Sequence, residues 1–381
     1  MPPDPNARQI ALDALIRIEE DRAYANLALG PILGRSGLDR RDRAFVTDLV
    51  YGTIRMQRRL DHLVDRFLVS DPPIEARMAL RLGAYQLDVL ATPPHAAIGE
   101  TVEVTSKRFR GLVNAVLRKV STAGSPERWP SDAVRLSYPD WIVDRFIDEL
   151  GPADGLAALD YMNQPPSVTT RDDGYVQDRG SQWVAELVDA EAGELVADLC
   201  AAPGGKATAI ASGGATVVAS DSSITRTGLI ASNVQRLDSS TGRVDIMAAD
   251  ALCPPWRPQS FDRVLLDAPC SGLGVLHRRP DARWRGEPAD IDRLADLQRR
   301  LLRSAVQLVR PGGVLIYSVC TLVRVETVDI AGSLDLEALD AEPLARPGPP
   351  WTDRDIGSIL LPQRAETDGM YVARWRIGSR R

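Results

Sequence analysis

Apolar positions in the first third of the chain recur at helical spacing. Ile10, Leu12, Leu15, Ile16 and Ile18 form one face, Leu27, Leu29, Ile32 and Leu33 a second, and Phe45, Leu49, Val50 and Ile54 a third. The pattern predicts an all-α domain from Asn6 to about Val120, broken at Pro93-Pro94 and resumed at His95. Residues 121–130 are rich in Ser, Gly and Pro and read as a linker. A helix starting at Tyr-Pro-Asp-Trp and a loop entering a strand follow, over 136–171, and read as a small α+β adaptor.

From about Gln177 the period changes. Short apolar runs bounded by turn formers predict strands at 195–200, 216–221, 244–249, 261–267, 314–320 and 369–377, with helices between most of them, notably 225–237 and 291–309. Strands apolar on both faces and separated by helices predict a doubly wound parallel sheet, hence an α/β Rossmann-like domain. The expected organisation is multidomain: an all-α domain at 1–124, linker and adaptor at 125–175, and the α/β domain at 176–381.

Composition narrows the class. With 44% apolar and 26% charged residues the chain of 381 resembles ordinary globular proteins, which excludes disorder as the default. No run approaches the roughly 18 apolar residues of a membrane span, and the Met1-Pro-Pro-Asp-Pro start lacks signal-peptide regions, so a cytoplasmic protein is expected. Four cysteines, Cys200, Cys253, Cys270 and Cys320, without a Cys-x-x-Cys pair fit neither a disulfide framework nor a zinc site. His62, His95 and His277 form no metal-ligand spacing, so no metal is expected. A net charge of −6 and a pI of about 5.3 oppose whole-molecule attraction to nucleic acid and leave room for a local basic face.

The chemistry gathers at predicted strand ends, where open α/β sheets bind ligands. Asp267 ends one strand with Cys270 three residues on, and Cys320 ends another. If those strands are parallel neighbours, a carboxylate and two thiols share one crevice. The run Asp198-Leu-Cys-Ala-Ala-Pro-Gly-Gly-Lys206 ends the first strand and turns into a helix; Gly204 and Gly205 admit close approach of a ligand. It is neither Gly-x-Gly-x-x-Gly nor a Walker sequence, which disfavours dinucleotide and ATP. Asp221 ends the second strand, suited to a ribose diol, and Asp250 ends the third, suited to an adenine amino group. That order is the one of an S-adenosylmethionine site, although each acid singly also reads as a helix N-cap.

Two resemblances follow from these stretches. Tyr51-Gly-Thr-Ile-Arg55, Ala84-Tyr-Gln-Leu87, His95-Ala-Ala-Ile-Gly-Glu-Thr-Val-Glu103 and Gly111-Leu-Val-Asn-Ala-Val-Leu-Arg118 resemble the helical RNA-binding domain of the antitermination factor NusB. Beside them Arg41, Arg43, Lys107, Arg108, Arg110, Arg118 and Lys119 offer phosphate contacts if they share a face; a solvated charged face is the plainer reading. Ala201-Ala-Pro-Gly-Gly-Lys206, Asp267-Ala-Pro-Cys-Ser-Gly-Leu-Gly274, Arg278-Arg-Pro-Asp-Ala-Arg-Trp284, Ser318-Val-Cys-Thr321 and Asp368-Gly-Met-Tyr-Val-Ala-Arg374 resemble the RNA cytosine-5 methyltransferases. A NusB-like domain in front of that catalytic domain resembles the RsmB (Sun/Fmu) family.

The resemblance implies S-adenosylmethionine as cofactor, bound by Cys200, Ala201, Ala202, Pro203, Gly204, Gly205, Lys206, Asp221, Arg226, Asp250 and Asp267. It implies Cys320 as nucleophile, Cys270 as the thiol assisting release, Asp267 holding or protonating the base edge, and Lys206 orienting both. It implies RNA as partner, 16S rRNA in particular, and a monomer away from membranes. The family usually has Ser-Thr-Cys-Ser around the second thiol, where Val319 and Thr321 differ, and Asn where Thr327 follows Glu326. The residues alone do not rank the thiols: attack by Cys270, the position used in DNA cytosine methyltransferases, stays open. An ordinary thiol pays about 2 kcal/mol to ionise at pH 7. The segment 277–284 puts three arginines beside the expected crevice, which reads as a hold on the RNA backbone, with Trp284 better placed in a core. Two other readings remain: a non-catalytic RNA-binding platform, and a methyltransferase of transfer RNA or protein.

Overall fold

The computed structural model describes residues 7–237 and 242–378. Met1 to Asn6, with the chain start considered above, lie outside the described residues. The chain divides into two compact units, the first comprising the chain to Ile147, Pro152–Pro165 and Leu276–Arg285, the second Asp148–Gly151, Pro166–Val275 and Gly286–Arg381. The segment read as linker and adaptor is shared: 125–147 and 152–165 fall in the first unit and 166–175 in the second.

The first unit is helical: α1 (Ala7–Glu20), α2 (Ala25–Arg35), α3 (Arg40–Arg55), α4 (Gln57–Asp65), α5 (Ile74–Asp88), α6 (Pro94–Val104), α7 (Arg110–Ala123), α8 (Asp132–Leu136) and α9 (Asp140–Tyr161), the last broken at Gly151. Leu12 and Leu15 of α1, Val46, Leu49 and Val50 of α3, Leu60 and Leu63 of α4, Leu82 of α5 and Leu117 of α7 meet in one core. Each such buried leucine is worth about 1.5–3 kcal/mol of transfer free energy. Leu27, expected on the apolar face of α2, is 67% exposed whereas Leu29 is buried. Two residues apart on a helix are about 200° apart around its axis, so one core takes only one of them.

Helix ends explain why residues 276–285 belong here. The Asp39 carboxylate caps α3 by accepting from the Asp42 N–H at 2.8 Å, but Tyr24 offers α2 no side-chain cap. Instead the Ala25 N–H donates to Asp281 at 3.2 Å. At the other end of α3 the last carbonyls are met by the same segment: Trp284 Nε1 donates to Ile54 O at 2.8 Å, and Arg283 Nη1 to Arg55 O at 3.3 Å. Arg283 Nη1 also donates to Ser137 O at 3.1 Å, just past α8, and to Asn163 Oδ1 at 2.9 Å. Its guanidinium lies 3.8 Å from the Tyr138 ring centroid. Arg55, in the NusB-like Tyr-Gly-Thr-Ile-Arg stretch, returns a bond from Nη2 to His277 O at 3.0 Å. Of the three arginines expected to hold an RNA backbone, Arg283 is wholly buried and bound to carbonyls and so is not free for that role, while Arg279 is exposed. Trp284 packs against the helical core, as expected.

The second unit opens with α10 (Arg179–Val188) and continues β1 (Leu195–Asp198), α11 (Gly205–Ala211), β2 (Thr216–Asp221), α12 (Ile224–Leu237), β3 (Arg243–Ala248), β4 (Phe261–Asp267), α13 (Pro288–Leu308), β5 (Val309–Val319), β6 (Ala341–Pro343), β7 (Thr352–Asp353), β8 (Ser358–Leu360) and β9 (Met370–Ile377). The sheet order is β3-β2-β1-β4-β5-β9-β8-β7, with β6 beside β9. From β3 to β5 all pairs are parallel; β9 runs antiparallel to β5, so the sheet is mixed where an all-parallel one was expected. A strand apolar on both faces carries no mark of its direction, which is why the sequence did not reveal the reversal. Successive residues alternate between two cores: Val264, Leu266, Leu315 and Tyr317 face one, Leu265, Val314 and Ile316 the other. The helix α13 starts in a capping box of Glu287 and Asp290 and buries Ile291, Ala295, Leu302 and Ala305. Gln298 is the polar member of that buried stripe. Among the described residues no helix is long and apolar enough to cross a membrane.

Candidate active site

Because β1, β4 and β5 are parallel neighbours, their carboxyl ends share one edge. Asp198 pairs with Leu265, and Asp267 pairs with Ser318, two residues before Cys320. Lys206, in the first turn of α11, donates from Nζ to Asp267 at 2.7 Å. Burial works to lower the pKa of this ammonium, but Asp267, by charge and hydrogen bond, with Asp198 and Cys320, outweighs it, and the net shift is upward. Lys206 is thus a fixed cation. The Cys270 and Cys320 sulfurs lie 3.4 Å apart, both half-buried. The hydrogen bond with Cys320, then burial, then the charges of Cys320 and Glu326 hold the Cys270 thiol well above the ordinary thiol range.

The loop that carries Cys270 is tied down at several points. The Ala268 N–H donates to Ser318 O at 2.9 Å and the Gly274 N–H to Cys320 O at 3.0 Å. A Cβ at Gly274 would stand 2.2 Å from Gly369 O, so only glycine permits this approach. Under the loop, fully buried Glu326 accepts from the Ser271 N–H at 2.8 Å, from Ser271 Oγ and from Gln298 Nε2 at 3.0 Å. Tyr317 OH donates to Glu326 O at 2.7 Å. Thr321 keeps its hydroxyl 3.0 Å from Ser271 Oγ, so the departure from Ser preserves the polar contact. Glu326→Ala strands the Ser271 and Gln298 donors in a dry site; a loss of about 2–3 kcal/mol is expected in chemical denaturation, with Glu326→Asp losing less.

Along the first loop, Ala201 N–H donates to Ser220 O at 2.8 Å, and Gly204 adopts φ +102°, a conformation open to glycine, before α11 begins at Gly205. Pro203 O accepts from Asn233 at 2.8 Å. Arg226 Nη2 bridges the loop and β2: it is 3.3 Å from Asp221 Oδ2 and 3.1 Å from Ala202 O. The other Asp221 oxygen accepts from the Ser223 N–H at 3.0 Å, so the expected diol acceptor is already engaged on both sides. Asp250 is exposed and its Oδ1 accepts from the Leu252 N–H at 2.9 Å, an Asx turn. Cys200 is pushed upward by burial and by Asp198, Asp267 and Asp221, so it stays a neutral thiol. The structure thus brings Cys200 to Lys206, Asp221, Arg226 and Asp267 to one side of the sheet end and the two thiols beside them, with Asp250 one strand further out.

Sequence reasoning passed over Asp198. Its carboxyl group is buried and neither oxygen has a hydrogen-bond partner. Burial first, then Asp267 and Asp221, raise its pKa to about 7 against the pull of Lys206. The signal was available: Asp198 ends a strand, as Asp221 does. An orphaned buried acid beside a glycine loop fits a cationic ligand. Among the described residues no group of three or more His, Cys, Asp or Glu side chains is placed to hold a metal.

Comparison with known proteins agrees with both units. The family described as 16S rRNA methyltransferase RsmB/F matches residues 185–376, and the NusB family matches 5–122. A methyltransferase of Mycobacterium tuberculosis is 36% identical over 98% of this chain and 97% of its own. The ribosomal RNA small subunit methyltransferase B of Thermus thermophilus is 35% identical over 96% of this chain and 97% of its own. The crystal structure of PH0851 shares the fold, with a TM-score of 0.77 at 20% identity over 97% of this chain and 99% of that one. Two adjacent strand-end thiols, an ion-paired lysine beside a glycine loop and a helical unit ahead of them thus sit in a chain that belongs to the 16S rRNA methyltransferase RsmB/F family.

Proposed function

We propose that this chain transfers a methyl group from S-adenosylmethionine to carbon 5 of a cytosine in 16S rRNA through a covalent adduct on Cys320. The family is one of RNA methyltransferases; the observation that carries the finer reading is the thiol pair, 3.4 Å apart, next to the Lys206–Asp267 ion pair. Methylation of an amine or hydroxyl needs no thiol, whereas carbon 5 of cytosine becomes nucleophilic only after a thiolate adds to carbon 6.

When bound, S-adenosylmethionine supplies an electrophilic sulfonium methyl. The residues fitted to hold it are the 200–206 loop, Asp198, Asp221 and Arg226. Cys320 adds to carbon 6 as N3 takes up a proton, with the base edge held by Asp267, itself fixed by Lys206. Carbon 5 then takes the methyl, its proton passes to water, and the carbon–sulfur bond breaks with its electron pair returning to the Cys320 sulfur as N3 gives up its proton. Cys270, kept protonated by its surroundings, is the poorer nucleophile, and at 3.4 Å it can donate its S–H hydrogen bond to the departing sulfur. The target base must leave its stack to reach these groups.

Asp198 makes donor binding depend on pH. Its folded pKa is raised to about 7, so the folded chain holds a proton that the unfolded chain releases near pH 4, and stability falls as pH rises between those values. A cationic donor binds the ionised form better. Affinity for S-adenosylmethionine is expected to tighten from about pH 6 to about pH 8, by up to ~10-fold per unit below the pKa, and then level off. Calorimetric titration checks this, and Asp198→Asn should flatten the profile.

The reading is tested by transfer of labelled methyl to unmodified 16S rRNA, with transfer RNA and DNA alongside. Label recovered as 5-methylcytosine in 16S rRNA is expected. Label recovered on an amine or a ribose, or in transfer RNA alone, would refute it.

A further inference from the structure

Two thiols in contact are also a redox couple. We propose that Cys270 and Cys320 are an oxidative modification site, at which a peroxide closes a disulfide that reversibly stops methyl transfer. The closure stands on the geometry of the pair; the arrest rests on the role of the thiols proposed above.

The sulfurs need to move from 3.4 Å to the roughly 2.05 Å of a disulfide bond. The backbone around them keeps the second thiol at hand. Cys270 sits on a loop bonded to β5 on both sides, through Ala268 N–H to Ser318 O and Gly274 N–H to Cys320 O. Both sulfurs are half-buried, so a small oxidant reaches them while a second protein molecule does not. Cys253 is exposed, and Cys200 is held as a neutral thiol by burial and by Asp198, Asp267 and Asp221.

In the first step one thiolate attacks hydrogen peroxide: an S–O bond forms, the O–O bond breaks and hydroxide leaves. The second sulfur then displaces the sulfenic oxygen as water, and the S–S bond forms. Two thiols and one peroxide give one disulfide and two waters; the sulfurs are oxidised and the peroxide reduced. A neighbour already in contact outruns a second peroxide, so the nucleophile is spared sulfinic acid.

The test treats the full chain with one to two equivalents of hydrogen peroxide, blocks remaining thiols, and maps the peptides by mass spectrometry. A Cys270–Cys320 linkage is expected, with methyl transfer down by about 10-fold or more and regained with a thiol reductant. S-adenosylmethionine binding should persist, which separates closure from unfolding. Cys253→Ser should not change the linkage, whereas Cys270→Ser should leave Cys320 open to sulfinic acid. Sulfinic acid at Cys320 of the unsubstituted chain without the linkage, or a linkage to Cys200 or Cys253 instead, would overturn the site. A mapped Cys270–Cys320 disulfide with undiminished transfer would overturn the arrest. Reduced protein that methylates no RNA would instead count against the proposed function, and the mapped linkage is read independently of it.

Discussion

Replacing Cys320 by alanine is expected to lower methyl transfer to 16S rRNA by at least ~10³-fold, about 4 kcal/mol of barrier, with S-adenosylmethionine affinity unchanged within about 2-fold. The carbon-6 bond is then not made, because the thiol that remains, Cys270, is held protonated well above the ordinary thiol range. Cys270→Ala should fail differently. With the S–H donor gone, elimination slows and an RNA–protein adduct accumulates that survives denaturation. RNA carrying 5-fluorocytosine, whose carbon-5 fluorine cannot leave as a proton does and so traps the adduct, separates the two. Adduct formation by Cys270→Ala and none by Cys320→Ala is the expected pattern, and the reverse pattern would assign attack to Cys270.

Arg283→Ala should cost about 3–5 kcal/mol of stability in the helical unit, from buried carbonyls left without donors and the cavity of a large buried side chain. The guanidinium is wholly buried, held by the Tyr138 ring and by the Arg55 and Ser137 carbonyls, and burial has already pushed its pKa down to about 10. Truncation leaves those carbonyls dry and opens a cavity beside Tyr138. Arg283→Lys keeps the charge but loses the planar fork, and should recover less than half of the loss. Urea denaturation of the full chain, followed by tryptophan fluorescence, reads the difference, since Trp284 and Trp129 both lie in this unit. A change below about 1 kcal/mol for Arg283→Ala would contradict the network.

Much of this was legible beforehand because periodicity reports burial directly. The strands 216–221 and 261–267 were read to the residue, and β5 was read at its buried end but begins at Val309, where the exposed Arg310-Pro-Gly312 hides it. Asp267 and Cys320 were singled out because polar residues ending apolar strands stand out, Cys270 by its place three residues past one of them, and Lys206 by the glycine loop and the family resemblance. Other features lacked any signal. The partners of Arg283 and Trp284 are backbone carbonyls, which have no side-chain identity to read. Gln298 and Glu326 meet only through the fold, twenty-eight positions apart on different elements. Leu27 was misplaced because a stripe drawn through four residues ignored that α2 has room for one face only.

Residues 276–285 also set an order of events during synthesis. The helical unit is translated first, yet its Arg283 plug, its Trp284 and its Asp281 cap for α2 emerge only after the whole of 166–275 has followed. At bacterial elongation rates that delay is on the order of ten seconds. Until then the carbonyls at the end of α3 stay open to water and the unit is incomplete. The nascent chain therefore cannot finish its helical half before the loop bearing Cys270 has left the ribosome. A fragment cut between the two families' matches, at any point from 123 to 184, would separate the helices from their last ten residues.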